Sequence, residues 1–112
     1  MMVDFGDGGD VALARLTGRL DTAGVGSVEL AFTARVVPEP RPVLIDLTGL
    51  DFIASLGVRM LITTARSRGR NGRVLVMFGA GPEVTDILTT MGLDEIIPLL
   101  PDEAAARAAV TD

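Results

Sequence analysis

Apolar positions recur along this chain with two different periods, and the switches between them mark its elements. Val11, Leu13 and Arg15 alternate with Ala12, Ala14 and Leu16, the period of two that a strand shows. The segment before it, through Phe5, predicts a partner strand across the Gly8-Gly9 turn, and so an N-terminal hairpin. Past Thr17-Gly18-Arg19-Leu20, the residues Val25, Val28, Phe32 and Val36 recur at three and four positions. That spacing predicts a helix, which Asp21 or Thr22 can cap and which Pro38, Pro40 and Pro42 end.

Residues 43–47 and 74–78 are unbroken or nearly unbroken runs of β-branched and aliphatic side chains, the pattern of strands covered on both faces in a parallel sheet. They form its centre. Between them, residues 55 to about 68 read as a helix with Leu56, Met60, Leu61 and Ala65 on or near one apolar face, stopped by Gly69 or by Asn71-Gly72. Pro82 at a first helical position opens the next, where Val84, Ile87, Leu88 and Met91 form a stripe closed by Gly92. Ile96-Ile97 reads as a short strand, and Asp102-Glu103 before an alanine run suits the acidic first turn of a last helix.

The order β-β-α-β-α-β-α-β-α predicts an α/β domain with a mixed sheet of five strands, antiparallel in the N-terminal hairpin and otherwise mainly parallel, packed with four helices. No composition shift, linker or internal repeat divides the 112 residues, so a single domain spanning 1–112 is expected.

Composition then narrows the chemistry. The chain has no Cys, His, Trp, Tyr or Lys. This removes thiol nucleophiles, Ser-His-Asp relays, zinc sites of the usual ligands, Schiff bases and the P-loop lysine. Apolar runs stop at about five residues, short of a bilayer span, so no direct membrane insertion is expected. Asp4, Asp7 and Asp10 among glycines leave no basic start or apolar stretch for a signal peptide, and the expectation is a cytoplasmic protein. A formal net charge of −5 disfavours nucleic acid and anionic lipid as partners. Arg66, Arg68, Arg70 and Arg73 are the local exception; at helical spacing and without an interleaved aromatic, they read as arginines complementing the negative end of a helix dipole.

Functional surface in an open α/β sheet lies where strand carboxyl ends feed helices, here at loops 18–22, 46–55 and 79–82. Gly79-Ala80-Gly81 lacks the third glycine and the acidic ribose contact of a dinucleotide fingerprint, so it reads as a tight connection and no cofactor is expected. Asp21, Asp46 and Asp51 are acids without a recognisable pocket to split their pKa values, which argues against an enzyme. Ser55 stands out. At a helix start it is expected to serve as N-cap, worth about 1 kcal/mol. A phosphate there, of about −2 charge, meets the positive end of the helix dipole, so its effect falls on whatever docks against that surface.

Four stretches in order, Gly18-Arg19-Leu20-Asp21-Thr22, then 43–50 with its Asp46-Leu47-Thr48-Gly49, then Phe52-Ile53-Ala54-Ser55-Leu56-Gly57, then Pro82-Glu83-Val84 through Met91-Gly92-Leu93, resemble the STAS domain of single-domain anti-sigma factor antagonists. The resemblance covers nearly the whole chain and implies a STAS-like sheet with a regulatory serine at the start of the second helix. Ser55 falls on that serine. Gly57, Asp21 and Asp46 also fall on family positions, and the partner surface expected from these loops is Asp21, Thr22, Asp46, Thr48, Ala54, Ser55, Leu56, Gly57 and Arg59. Arg59, four residues after Ser55, reads as a solvated helix arginine or as a contact to a phosphate on that serine. The implied partners are an anti-sigma factor serine kinase of histidine-kinase-like ATPase fold, released by phosphorylation of the serine, and a phosphatase that restores binding; a homodimer stays open. One position departs: the family usually carries Asp before the serine, and this chain has Ala54. That leaves a second expectation, a STAS scaffold that is never phosphorylated or a STAS subunit of a phospholipid-transport ATPase.

Overall fold

The computed structural model describes residues 1–111. Strands β1 (Met2–Asp7), β2 (Ala12–Leu20), β3 (Val43–Ile53), β4 (Leu75–Phe78) and β5 (Leu99–Leu100) form one sheet in the order β1-β2-β3-β4-β5. β1 is antiparallel to β2, and every later pairing is parallel. Helices α1 (Thr22–Val36), α2 (Ser55–Gly69), α3 (Pro82–Thr90) and α4 (Glu103–Val110) connect or follow the strands. The expected mixed five-stranded sheet with four helices is therefore the observed architecture.

The helices are divided unequally between the two faces. Val25, Val28, Phe32 and Val36 of α1, Val58, Met60 and Leu61 of α2, and Val84 and Leu88 of α3 share one core with Ala14, Leu16, Ile45 and Leu47 of the sheet. On the opposite face α4 buries Ala106 against Leu44, Val76 and Phe78. Because α4 packs on β3, β4 and β5, the outer part of that face, with Arg15 and Thr17 of β2, is left exposed.

Three expectations are corrected. The stretch 46–55 is not a loop: β3 runs on to Ile53, and Leu50 and Ile53 are buried in the main core. Against β2 the register shifts between Arg15 and Thr17 and again between Gly18 and Arg19, where β3 carries the extra residue each time. Two bulges disturb strict alternation, so the continuation is hidden from a search for period two. Ile96-Ile97 is not a strand either. Gly92, at φ 74°, ends α3, Leu93–Glu95 forms a 3-10 turn, and Ile97 N–H donates to Leu93 O at 2.8 Å. Ile97 then plugs the core, and the strand begins after Pro98, where Leu99 pairs with Met77.

Arg68 is the third correction. It is fully buried, and its guanidinium donates to the carbonyls of Val36 (2.7 Å), Glu39 (2.8 Å), Arg41 (2.9 Å) and Val74 (2.6 Å). It therefore seals the end of α1 and the loop into β3. Burial pushes the Arg68 pKa down, Arg73 nearby pushes the same way, and the guanidinium stays charged because an arginine starts so high.

Candidate functional site

The carboxyl ends of β2 and β3 meet at one corner. Ala54 N–H donates to Leu20 O at 3.0 Å, so the residue that ends β2 is tied to the residue before α2. Gly57, in the first turn of α2, is pressed on the same Leu20. A Cβ there would stand 2.8 Å from the Leu20 carbonyl oxygen and 2.8 Å from its Cγ, so only glycine lets the helix approach this closely. Ser55 is thereby held at the outer edge of a corner whose inner side is solid.

The cap differs from expectation. Ala54 is the extended residue before α2 (φ −103°, ψ 172°) and contributes no capping side chain; Ser55 is the first helical residue. Serine would cap from position 54; Ser55, one position later, is an exposed residue within the helix. Leu56 beside it is 37% exposed although apolar.

Asp21 is the cap of α1, its Oδ1 accepting from Gly24 N–H at 2.8 Å. That backbone hydrogen bond, with Arg19 beside it, holds the Asp21 carboxyl below the usual carboxylate range. Arg19 stands 3.7 Å from the Asp21 carboxylate and lies over the Phe52 ring, 4.5 Å from its centroid. Thr22, the first residue of α1, is exposed.

Asp46 and Thr48 sit elsewhere. Asp46, two residues after Leu44 on β3, shares its face and so lies on the α4 side, where it is only 7% exposed. Its Oδ2 accepts from Arg15 Nε at 2.9 Å, and its Oδ1 accepts from Thr48 N–H at 2.9 Å and Thr48 Oγ1 at 2.6 Å. Burial works to raise its pKa, yet the donors from Thr48 and Arg15 outweigh burial and hold it down. This carboxylate is already committed to its neighbours, and its surroundings are separate from the Ser55 corner.

The structure thus brings Asp21, Thr22, Ala54, Ser55, Leu56 and Gly57 together and places Asp46 and Thr48 apart. From Ser55 the exposed surface continues along α2 as a depression of about 300 Å³, lined by Ser55, Val58, Arg59, Ile62, Thr63 and Arg66, with Met91 on its far side. Sequence reading found Arg59 there but not Ile62, Thr63, Arg66 or Met91. Counting from Ser55 at helical spacing, 55-59-62-63-66, is the signal that finds the α2 residues, whereas Met91, at the end of α3, is brought there by the fold. Among the described residues no cluster of three His, Cys, Asp or Glu can hold a metal ion, and no helix is long and apolar enough to cross a membrane.

Fold and corner together define a small α/β module with a mixed five-stranded sheet and a serine at the start of its second helix. Residues 7–106 match the STAS domain family, and the chain belongs to it. BtrV of Bordetella bronchiseptica, provisionally named an anti-sigma factor antagonist, is 30% identical over 97 residues, covering 87% of this chain and 84% of BtrV. The crystal structure of an anti-sigma factor antagonist from Mycobacterium paratuberculosis superposes with a TM-score of 0.90 at 27% identity, covering 99% of this chain and 94% of the other. The same fold occurs in the Bacillus antagonist SpoIIAA, known in an unphosphorylated form (TM-score 0.77, 16% identity, 96% of each chain) and a phosphorylated form (TM-score 0.70, 17% identity, 98% and 100%).

Proposed function

We propose that this protein is an anti-sigma factor antagonist switched by phosphorylation of Ser55. In its unphosphorylated form it binds an anti-sigma factor that is also a serine kinase, using the corner of Asp21, Thr22, Ala54, Leu56 and Gly57 and the depression that runs along α2. Phosphate on Ser55 ends the complex, and a phosphatase restores it. The protein acts by binding and not by catalysis of its own.

One observation carries this reading: Ser55 is an exposed residue at the start of α2, beside the tight contact of Gly57 with Leu20. A kinase can reach it without unfolding anything. A dianion added there changes the docking surface and leaves the core untouched, because a partner has to desolvate the charge, at a cost of several kcal/mol, whereas the free domain keeps it in water. The names of the relatives at 30% and 27% identity support the same role.

The test is incubation with ATP and a cognate anti-sigma kinase, followed by intact-mass analysis. Wild type is expected to gain one phosphate, Ser55→Ala none, and Ser55→Asp to lose the complex with an unchanged thermal melt. Equal uptake by Ser55→Ala and wild type refutes the assignment.

A second reading is favoured by Ala54, which leaves α2 without the acidic residue usual before the serine. In that reading the same face binds a partner constitutively, as a scaffold or as the STAS subunit of a phospholipid-transport ATPase. A complex that tolerates Ser55→Asp selects it over the switch.

A further inference from the structure

The depression beside Ser55 carries two cations and no anion. Arg59 and Arg66 line it with Ser55, Val58, Ile62, Thr63 and Met91, and no carboxylate does. In a chain of net charge −5 this is an island of opposite sign. Both arginines are exposed, and among the described residues neither takes part in an ion pair, those being formed by Arg15, Arg19, Arg41 and Arg107. The acids closest to Ser55 along the chain and across the corner lie outside the depression: Asp51 is exposed on β3, and Asp21 is taken by Gly24 N–H and Arg19.

The two arginines are not equivalent with respect to Ser55. Arg59 follows it by four residues, the spacing that puts side chains about 5–6 Å apart at Cβ on one helix face. Side chains on a helix also lean toward its N-terminus, so Arg59 extends back over the turn that holds Ser55. Arg66 lies eleven residues on, about 16 Å along the axis at helical rise, beyond the reach of a group on Ser55.

We infer that Arg59 is the internal receiver of a phosphate on Ser55. The guanidinium donates two parallel N–H bonds to the phosphate oxygens, draws the group down onto the α2 face, and is thereby withdrawn from the surface a partner would contact. Modification of Ser55 then changes that surface twice, adding an anion and removing a cation. The inference rests on the reading of Ser55 as the modified residue, and it names the residue that converts the modification into a change of surface.

The experiment needs no kinase. Phosphoserine is incorporated at position 55 during translation, and the phosphate is titrated by phosphorus NMR in wild type, Arg59→Gln, Arg59→Lys and Arg66→Gln. The second pKa of a phosphoserine lies near 6. The N-terminal dipole of α2 lowers it equally in all four proteins, so the difference between them reports the pair. Wild type is expected to titrate about half a unit or more below Arg59→Gln, roughly a threefold change in the protonation constant. Arg66→Gln is expected to match wild type, and Arg59→Lys to keep part of the shift. Coincident titrations of wild type and Arg59→Gln overturn the inference, as does an equal effect of Arg66→Gln. Absence of phosphate on Ser55 after kinase treatment would instead count against the switch itself, so the two failures are separable.

Discussion

Gly57 is where the corner is tightest, and replacing it with alanine tests the close approach of α2 to β2. The added methyl would meet the Leu20 carbonyl oxygen and Cγ at 2.8 Å each and Cδ2 at 2.9 Å. Carbon contacts are comfortable at about 3.5–4.0 Å, so the first turn of α2 must lift by roughly half an ångström or more, or Leu20 must leave its rotamer. Leu20 is fully buried and its carbonyl is held by Ala54 N–H, so neither movement is free. Overpacking of this kind costs about 1–3 kcal/mol, while alanine in place of glycine inside a helix returns about 1 kcal/mol. The expected net loss is up to about 2 kcal/mol, a fall in Tm of up to about 10 °C for a domain of this size. Gly26 in α1, where an added methyl would find nothing within 4 Å, supplies the control. There the same substitution should stabilise by about 0.5–1 kcal/mol. Urea unfolding followed by far-UV circular dichroism measures both. A Gly57→Ala variant as stable as Gly26→Ala would refute the packing that positions Ser55.

Other perturbations address the cap, the buried arginine and the acid limb of stability. Ala54→Asp places an acceptor at the uncapped start of α2 and should raise stability by about 1 kcal/mol in a urea titration, while Ala54→Ser should do nearly as well. Arg68→Met strips the Glu39 and Arg41 carbonyls of their buried donor and should cost about 3–5 kcal/mol; a loss below about 1 kcal/mol would show that water replaces the guanidinium. Glu39 is held at about 2 by hydrogen bonds from Arg41, against an ordinary 4.5. Its folded pKa is depressed, so its contribution is complete above about 4.5 and is lost as pH falls toward 2. Glu39→Gln should therefore reduce the fall of melting temperature between those limits, the remaining slope coming from Asp7, Asp21 and Asp46, whose carboxyls are also held down.

How much of this was legible follows the physics of each element. The helix stripe of α1 and the central runs of β3 and β4 are written in period and burial, and they stand where that period puts them; the stripe of α3 holds at Val84 and Leu88, but its last member, Met91, lies past the helix and is exposed. β3 beyond Leu47 is obscured by its two bulges, because an inserted residue moves every later side chain to the other face. Ile96-Ile97 has the composition of a strand, but a strand needs a free ladder, and Gly92 turns the chain so that Ile97 is spent on the core first. Arg68 carries the same letter as Arg66 and Arg70, and only the fold shows it among carbonyls that have no other charged partner. At the site, Ser55, Leu56 and Gly57 were visible as a helix start, and the separation of Asp46 from them was not. Facing direction along a bulged strand decides that, and sequence order does not carry it.

The division between buried and exposed groups is what lets the proposed switch work without refolding. Each group that fixes the corner is saturated: Leu20 O by Ala54, Asp21 by Gly24, and the space over Gly57 by Leu20 itself. The residues that the proposed complex would use, Ser55, Leu56, Arg59 and Met91, are exposed. An anion at Ser55 therefore costs the free domain little, since water and Arg59 can both solvate it. In a complex the partner must desolvate the same phosphate together with its arginine, and a penalty of about 3–4 kcal/mol weakens binding by roughly two to three powers of ten. Pairing with Arg59 sharpens the difference, because it keeps the phosphate over the face to be buried and prevents it from swinging away into solvent.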